Sequence, residues 1–302
     1  MTTTTAPDEA TTLPAATASG HAGVVTMVRS EWTKFKSVRS SWISLLIIVV
    51  VGIGFAALFS AVFADHWTKS SPADRLGFDP VRISQAGSFV SQIVVGVLGA
   101  LIITSEYSTG SIRTTLAGIP KRTSMATAKA IVLGVVLLVV TEITAFASFF
   151  TSQAVLLASG GKTVSKNATI VSQLHLPHVP VLPIGYSGVA AAVFREAIFL
   201  TLMGLFAMGL GLLLRNTTGT ISLYVGLLLV VPILAQLLPS SINQHILPYL
   251  PSNLGVAMAS VTSRHTDFAG TLVGPYEALG LAVLYVIVVV GAGIVLLRRR
   301  DA

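Results

Sequence analysis

Six long apolar stretches divide the chain, with shorter polar segments between them. They cover about 42–64, 84–104, 126–148, 189–214, 221–238 and 276–297. Each reaches the roughly 20 residues that an α-helix, rising about 1.5 Å per residue, needs to cross a hydrocarbon layer of ~30 Å. The pattern predicts an all-α, polytopic membrane protein whose six transmembrane helices form one domain, 24–302.

The segment ahead of the first stretch has two parts. Residues 1–23 are rich in Thr, Ala and Pro without an apolar period, which predicts a disordered cytoplasmic tail. In the following residues, apolar positions recur every three or four residues with polar positions between them. This pattern predicts an amphipathic helix in the membrane interface, with Trp32 at headgroup depth. Its apolar positions are Val24, Val28, Trp32, Phe35 and Val38, and its polar positions are Arg29, Thr33, Lys36 and Ser37. The alternative is a basic flank that only fixes orientation.

Composition and charge agree with a membrane protein. Hydrophobic residues make up 53% of the chain and charged residues 10%, too few to cover a soluble domain of 302 residues. The absence of cysteine excludes a disulfide, a thiol nucleophile and a thiolate metal site. The net charge of +7 does not indicate nucleic-acid binding, because twelve Lys and Arg fall on the side of the termini and six on the other. By the positive-inside rule, both termini are predicted to be cytoplasmic.

The turn after the second stretch carries the candidate docking surface. Ser105 to Arg122 reads SEYSTGSIRTTLAGIPKR. Ser111 is placed to cap a short helix, and Pro120 to end it. The sequence predicts a compact helical turn just outside the membrane. The alternative is a polar turn whose positive charge only enforces topology.

Three segments together resemble the membrane subunit of a type-two ATP-binding-cassette exporter, in the form common in actinobacteria. They are EWTKFKSVRSSW (Glu31 to Trp42), the turn just described, and YLPSNLG (Tyr249 to Gly255). Their order relative to six apolar stretches carries the resemblance, which extends from Val24 to the C-terminus. It implies a multi-pass permease subunit in the cell membrane that exports a substrate.

The resemblance also implies partners and roles. A separate cytoplasmic ATPase subunit would bind ATP and magnesium, no cofactor would be bound by this chain, and a second permease subunit would complete a homodimer or heterodimer. The helix from Val24 to Arg39 would match the connecting helix of the family, and Ser105 to Arg122 its coupling helix. Glu106, Tyr107, Arg113 and Arg122 would transmit force from the ATPase.

Nothing in the sequence indicates that this chain is itself an ATPase. Gly161-Lys162-Thr163 imitates the end of a phosphate-binding loop, but Leu156 stands where that loop needs glycine. Gly52-Ile53-Gly54 followed by Ala57 imitates a dinucleotide loop, yet it lies inside the first apolar stretch. Small residues there indicate close helix packing. No enzymatic activity is expected of the chain.

Two residues within the stretches are candidates for a transport pathway. Glu142 is an ionisable residue in the third stretch, where it is either functional or forms a structural hydrogen bond to a neighbouring helix. Pro232 is expected to kink the fifth stretch. Arg195 and Glu196 are expected to reach the outer interface by snorkelling. In the loop 239–275, a short helix over 252–260 is expected to turn back toward the bilayer.

Two other functions remain as alternatives. An ion-coupled secondary transporter would share the architecture, but it would show internal repeats and paired broken helices with convergent charges. The two halves of the sequence show no convincing repeat, and the spans carry few charges. An intramembrane serine protease is suggested by Gly185-Tyr186-Ser187-Gly188, but the sixth stretch holds no histidine to serve as base. His175 and His178 lack a third ligand, so no metal site is predicted.

Overall fold

Six membrane-length helices dominate the fold. The computed structural model describes residues 24–71, 75, 79–108, 122–165, 178–261, 266–267, 270–271 and 273–299. Within them, six helices are long and apolar enough to cross a membrane. The spans are Arg39–His66, Ser88–Ser108, Arg122–Ala158, Val189–Leu214, Thr217–Gln236 and Pro275–Arg299. The six predicted spans are confirmed, and the predicted tail 1–23 lies outside the described residues.

Shorter elements connect the spans. The predicted N-terminal helix is present as Val24–Ser37, and Val38, in an extended conformation, separates it from the first span. The other helical segments are Trp67–Lys69, Pro80–Ser84, Ser240–Ile246, Leu247–Tyr249 and Pro251–Met258. Lys162–Thr163 pairs in parallel with Pro180–Val181, and Thr266–Asp267 pairs antiparallel with Gly270–Thr271. The short helix expected at 252–260 is therefore found at Pro251–Met258.

The bundle has two distinct ends, because an even number of spans returns the chain to the side where it started. The terminal end holds the N-terminal helix and the last residues of the second, fourth and sixth spans. The loop end holds the connections that follow the first, third and fifth spans.

The fourth span is the centre of the bundle. About 72% of its most apolar segment is buried inside the protein, whereas only 11% of the most apolar segment of the sixth span is buried. It packs against the second, third and sixth spans. Where it meets the second span the backbones approach so closely that a Cβ at Gly99 would collide with the carbonyl oxygen of Gly204. At Gly52, a Cβ would likewise collide with Thr144 of the third span, as the small residues there predict.

The third span is longer than the sequence predicts. It was expected to end at about 148, but the helix continues to Ala158 and has 37 residues. At 1.5 Å per residue it is about 55 Å long, well beyond the ~30 Å hydrocarbon thickness. The extension buries Phe149 and Leu156 in a second apolar cluster with Trp67 and Leu182 of the loop end. Apolar pattern alone does not distinguish residues that face lipid from residues that pack under a loop.

The fifth span is irregular just before Pro232, while the predicted kink stays a prediction. The helix widens to π geometry over Gly226–Val230 and resumes at Val231–Gln236. Proline lacks the N–H that would bond to the carbonyl of Leu228, and its ring crowds that carbonyl. The wider turn accommodates both effects, and single π turns of this kind are frequent at functional sites.

Packing at Gly99 yields a first prediction. Gly99→Ala is expected to lower the unfolding free energy of the detergent-solubilised protein by about 1–3 kcal/mol, because the added methyl group overpacks the contact with the fourth span. Gly54→Ala is the matched control, since Gly54 is a helical glycine with no atom within 4 Å of the added methyl. Equal stability of the two variants in chemical unfolding would contradict the close packing described above.

Candidate functional site

Four charged side chains meet at the terminal end of the bundle. Glu31 and Lys34 come from the N-terminal helix, Glu106 from the end of the second span, and Lys129 from the third span. The Lys129 ammonium donates to Glu31 Oε2 at 2.6 Å and to Glu106 Oε1 at 2.7 Å. Lys34 donates to Glu31 Oε1 at 2.9 Å and to Glu106 Oε1 at 3.3 Å. We call these four residues the charge cluster.

Local sequence explains why the cluster forms. Glu31 lies three residues after Val28 and four before Phe35, so it shares the face that the N-terminal helix packs on the bundle. Lys129 lies four residues after Met125 and four before Leu133, both of which are fully buried. Glu31 and Lys129 are therefore buried because apolar residues one turn before and one turn after them pack into the bundle.

The electrostatics of the cluster are balanced. Two carboxylates face two ammonium groups, and the Lys129 side chain is only 3% exposed. Burial by itself would raise the pKa of Glu31, but the Lys129 and Lys34 ammonium groups outweigh it and hold that pKa below its ordinary value. Burial would lower the pKa of Lys34, but the two carboxylates raise it above the ordinary value. Both groups therefore stay charged at neutral pH.

A second contact joins the cluster to the turn between the fourth and fifth spans. The Arg215 guanidinium lies over the Tyr107 ring, 5.5 Å from its centroid. Arg215 ends the fourth span in a left-handed conformation, with φ of 54°. The contact links the end of the second span to the end of the fourth. Tyr107 follows Glu106 directly, so two consecutive residues attach the end of the second span to three other elements.

The N-terminal helix is held at its C-terminal end but leaves a cavity beneath it. The Trp42 indole of the first span donates to the carbonyl of Lys36 at 3.1 Å. A cavity of about 370 Å³ lies between this helix and the first three spans, and Glu31, Lys34, Glu106 and Lys129 belong to its lining. Val38 is the single extended residue that separates this helix from the first span.

The predicted residues of the N-terminal helix fall on two sides. Arg29 and Lys36 are exposed, as the amphipathic pattern requires, and Phe35 is buried. The Trp32 ring is 39% exposed, stacks on Phe35 at a centroid distance of 6.2 Å, and carries the Lys36 ammonium over its face. This arrangement suits a helix lying in the membrane interface, which stays a prediction.

The four residues assigned to force transmission are placed unequally. Glu106 lies in the charge cluster and Tyr107 beside it. Arg122 begins the third span, but its side chain lies outside the described part of the chain, as does the whole of Arg113. Sequence reasoning missed Lys129 and Glu31, since it included Lys129 only among the twelve Lys and Arg on the side of the termini. The available signal was that each is a charge on a buried helical face.

Glu142 and Pro232 do not belong to the cluster. Both Glu142 carboxylate oxygens are screened from solvent and have no hydrogen-bond partner among the described residues. The interhelical hydrogen bond considered for Glu142 is made by its neighbour, since the Thr141 hydroxyl donates to the Ala197 carbonyl of the fourth span at 3.0 Å. Roles in a transport pathway remain predictions for both residues.

Arg195 corrects a further expectation. It does not snorkel to the interface, because its side chain is buried and donates to the carbonyls of Met258 and Ser260, each at 3.0 Å. Its guanidinium also lies 5.1 Å from the centroid of the Tyr276 ring. Arg195 therefore satisfies the free carbonyls at the end of the short helix Pro251–Met258.

Two of the motifs considered in the sequence can be placed as well. Lys162 and Thr163 form a two-residue strand instead of opening the helix that a phosphate-binding loop requires. Ser187 lies in the turn before the fourth span and not inside a span. Among the residues that the structure describes, no group of three or more acidic, His or Cys side chains is placed to hold a metal.

Comparison with known proteins places the chain in a family. The family model described as "ABC-2 family transporter protein" matches residues 27–207, more than half of the chain. The matched region contains the N-terminal helix from Met27, the first three spans and all four residues of the charge cluster. No curated protein matches the chain.

The central role of Lys129 can be tested by removing its charge. Lys129→Met is expected to destabilise the solubilised protein by about 3–5 kcal/mol, because Glu31 and Glu106 would be left buried without their main partner. The triple variant Glu31→Gln, Glu106→Gln, Lys129→Met is expected to recover much of that loss. Lys36→Met, on the exposed face, should change stability by no more than about 0.5 kcal/mol. If Lys129→Met were as stable as the wild type in chemical unfolding, the central role of Lys129 in the charge cluster would be contradicted.

The lowered pKa of Glu31 predicts a pH dependence. A carboxyl whose pKa is depressed on folding stabilises the folded state above its ordinary pKa, 4.5, and loses that contribution as pH falls through the folded value. The wild type is therefore expected to be more stable than Glu31→Gln at neutral pH, and the difference is expected to disappear as the pH falls below 4.5 and through the lowered pKa of Glu31. Thermal unfolding of both proteins across pH measures this. A stability difference that grows as the pH falls would contradict the lowered pKa of Glu31.

Proposed function

Because the chain belongs to the ABC-2 family of transporter proteins, we propose that its charge cluster couples a separate ATPase to movement of the spans. The chain is the membrane permease subunit of an ABC transporter and a multi-pass protein of the cell membrane. The family provides the permease component and not the ATPase. The identity of the ATPase, the second permease subunit and the export direction are parts of our proposal.

The position of the cluster relative to the turn supports this coupling. The second span ends at Ser108 and the third begins at Arg122, so residues 109–121 lie between two helices whose ends carry Glu106 and Lys129. A force applied to the turn reaches those two side chains directly. Through Glu31 and Lys34, it also reaches the N-terminal helix. This bridge across three elements is the observation that carries the proposal.

The remaining steps follow from the family. The turn would dock in a cleft of the cytoplasmic ATPase, with Arg113 and Arg122 contributing positive charge. Closure of two ATPase subunits around ATP and magnesium would move the turns of two paired permeases together. The charge cluster would transmit that movement to the N-terminal helix at the membrane surface. Its balanced charges allow it to move as a unit without exposing an unpaired charge to the apolar interior.

Affinity purification from native membranes under gentle detergent conditions tests docking. An ATP-binding-cassette ATPase is expected to accompany the wild type and to be largely lost from Arg113→Glu, because that variant reverses a charge in the turn. Lys162→Glu reverses an exposed charge at the loop end and should retain the ATPase. Failure to recover an ATPase with the wild type would overturn the proposed partnership.

The coupling role is tested separately from docking. The triple variant, which leaves Lys34 as the one charge of the cluster, is expected to retain the ATPase, since residues 109–121 are unchanged in it. Its effect on ATP hydrolysis should be lost, so the complex hydrolyses ATP at the rate of the isolated ATPase subunit. Wild-type regulation of hydrolysis in the triple variant would assign the cluster to stability alone.

A further inference from the structure

Four exposed residues form one strip along the N-terminal helix, on the side away from the charge cluster. Val25, Arg29, Trp32 and Lys36 follow one another at helical spacings of four, three and four residues, so they share one face. Val25 is 82% exposed and Trp32 is 39% exposed, and both cations are exposed as well. Apolar and basic side chains therefore alternate along one exposed surface. We call these four residues the basic strip.

The helix separates its charges by sign. Glu31, its only acid, is buried and paired with Lys34 and Lys129. Arg29 and Lys36 have no ion-pair partner in the part of the chain that the structure describes. Glu31 and Glu106 are the acids described at the terminal end, and both belong to the charge cluster. The positive charge of the basic strip is therefore not neutralised by any described carboxylate.

The basic strip lies where the chain enters the membrane. The first span begins at Arg39, three residues after Lys36, and its Trp42 indole donates to the Lys36 carbonyl at 3.1 Å. The Lys36 ammonium lies 5.5 Å from the centroid of the Trp32 ring. The Trp42 side chain is 50% exposed, so exposed indole rings lie close to Lys36 in two helices. Indole rings are enriched at the level of lipid headgroups, where lipid phosphates also lie.

A phospholipid satisfies both halves of this surface. Water would solvate Arg29 and Lys36 but would leave the apolar surface of Val25 and Trp32 uncovered. Phosphate oxygens accept charge-assisted hydrogen bonds from arginine and lysine, and the upper part of an acyl chain covers apolar side chains. A zwitterionic headgroup would bring its own ammonium group toward the same cations. The strip is therefore complementary to a lipid with a net negative charge.

We propose that the basic strip binds an anionic phospholipid of the adjacent leaflet, with its phosphate within reach of Arg29 and Lys36 and its upper acyl chain against Trp32. The site requires neither the ATPase nor the coupling role of the charge cluster. Because the cations are exposed, salt screens their attraction for the headgroup. The preference for anionic lipid is therefore expected to weaken as the ionic strength rises.

Quenching of tryptophan fluorescence by brominated lipid measures the binding. The chain has three tryptophans, and Trp67 is buried at the loop end, so quenching reports on Trp32 and Trp42. The permease without its ATPase is placed in phosphatidylcholine nanodiscs that contain a small fraction of either brominated phosphatidylglycerol or brominated phosphatidylcholine. Brominated phosphatidylglycerol is expected to quench the wild type at the lower lipid fraction. The double variant Arg29→Gln, Lys36→Gln should lower this preference about tenfold or more, because each cation near an anionic surface contributes about fivefold.

A charge-conserving variant is the matched control. It exchanges each cation with the exposed serine that follows it, through Arg29→Ser, Ser30→Arg, Lys36→Ser and Ser37→Lys. The composition and charge of the helix are unchanged, but both cations leave the face that carries Trp32. This variant should lose the lipid preference as the double variant does. If it kept the wild-type preference, charge alone would attract the lipid and the proposed site would be wrong.

Equal quenching of the wild type by the two brominated lipids would also overturn the proposal. If the exchanged variant then failed to recover the ATPase in affinity purification, the basic strip would be assigned to a protein contact. The quenching measurement contains no ATPase, so its failure leaves the docking and coupling experiments to decide the proposed function independently.

Discussion

A buried lysine ammonium group needs carboxylates around it, and in this protein that requirement determines how the terminal end is built. Lys129 is 3% exposed and touches both Glu31 and Glu106. Those two acids come from elements far apart in sequence, so satisfying one cation fixes three elements against each other. The N-terminal helix is attached by this contact, by Phe35 and by the Trp42 hydrogen bond, while a cavity remains under it. The result is a firm electrostatic connection inside a loosely packed region.

The second span connects the loop end of the bundle to the charge cluster. It begins at Ser88, carries Glu106 of the charge cluster near its other end, and is continuous between them. Its length between those residues is about 27 Å at 1.5 Å per residue. The close approach at Gly99 packs it against the fourth span, and the Tyr224 hydroxyl of the fifth span donates to the Gln92 carbonyl at 2.7 Å. These contacts fix the second span against the fourth and fifth spans along its length.

Much of the architecture was predictable because membrane insertion constrains sequence strongly. The six spans, the N-terminal helix and the short helix near 252–260 all follow from apolar length, helical period and proline chemistry. The end of the third span was not predictable, because Phe149 and Leu156 are equally apolar whether they face lipid or the second apolar cluster. The snorkelling expected for Arg195 was wrong, because carbonyls from a distant short helix come within its reach.

The sequence by itself determined the number of spans, their order and the family of transporter to which the chain belongs. It also supplied Glu106 and Tyr107 as candidates for transmitting force from the ATPase, through the family resemblance and not through any local pattern. Only the tertiary structure decided that Lys129 pairs with Glu31, and that Arg195 donates to the carbonyls of Met258 and Ser260. The physical reason is that apolar pattern depends on each helix separately, whereas the partner of a buried charge depends on which faces of different helices meet.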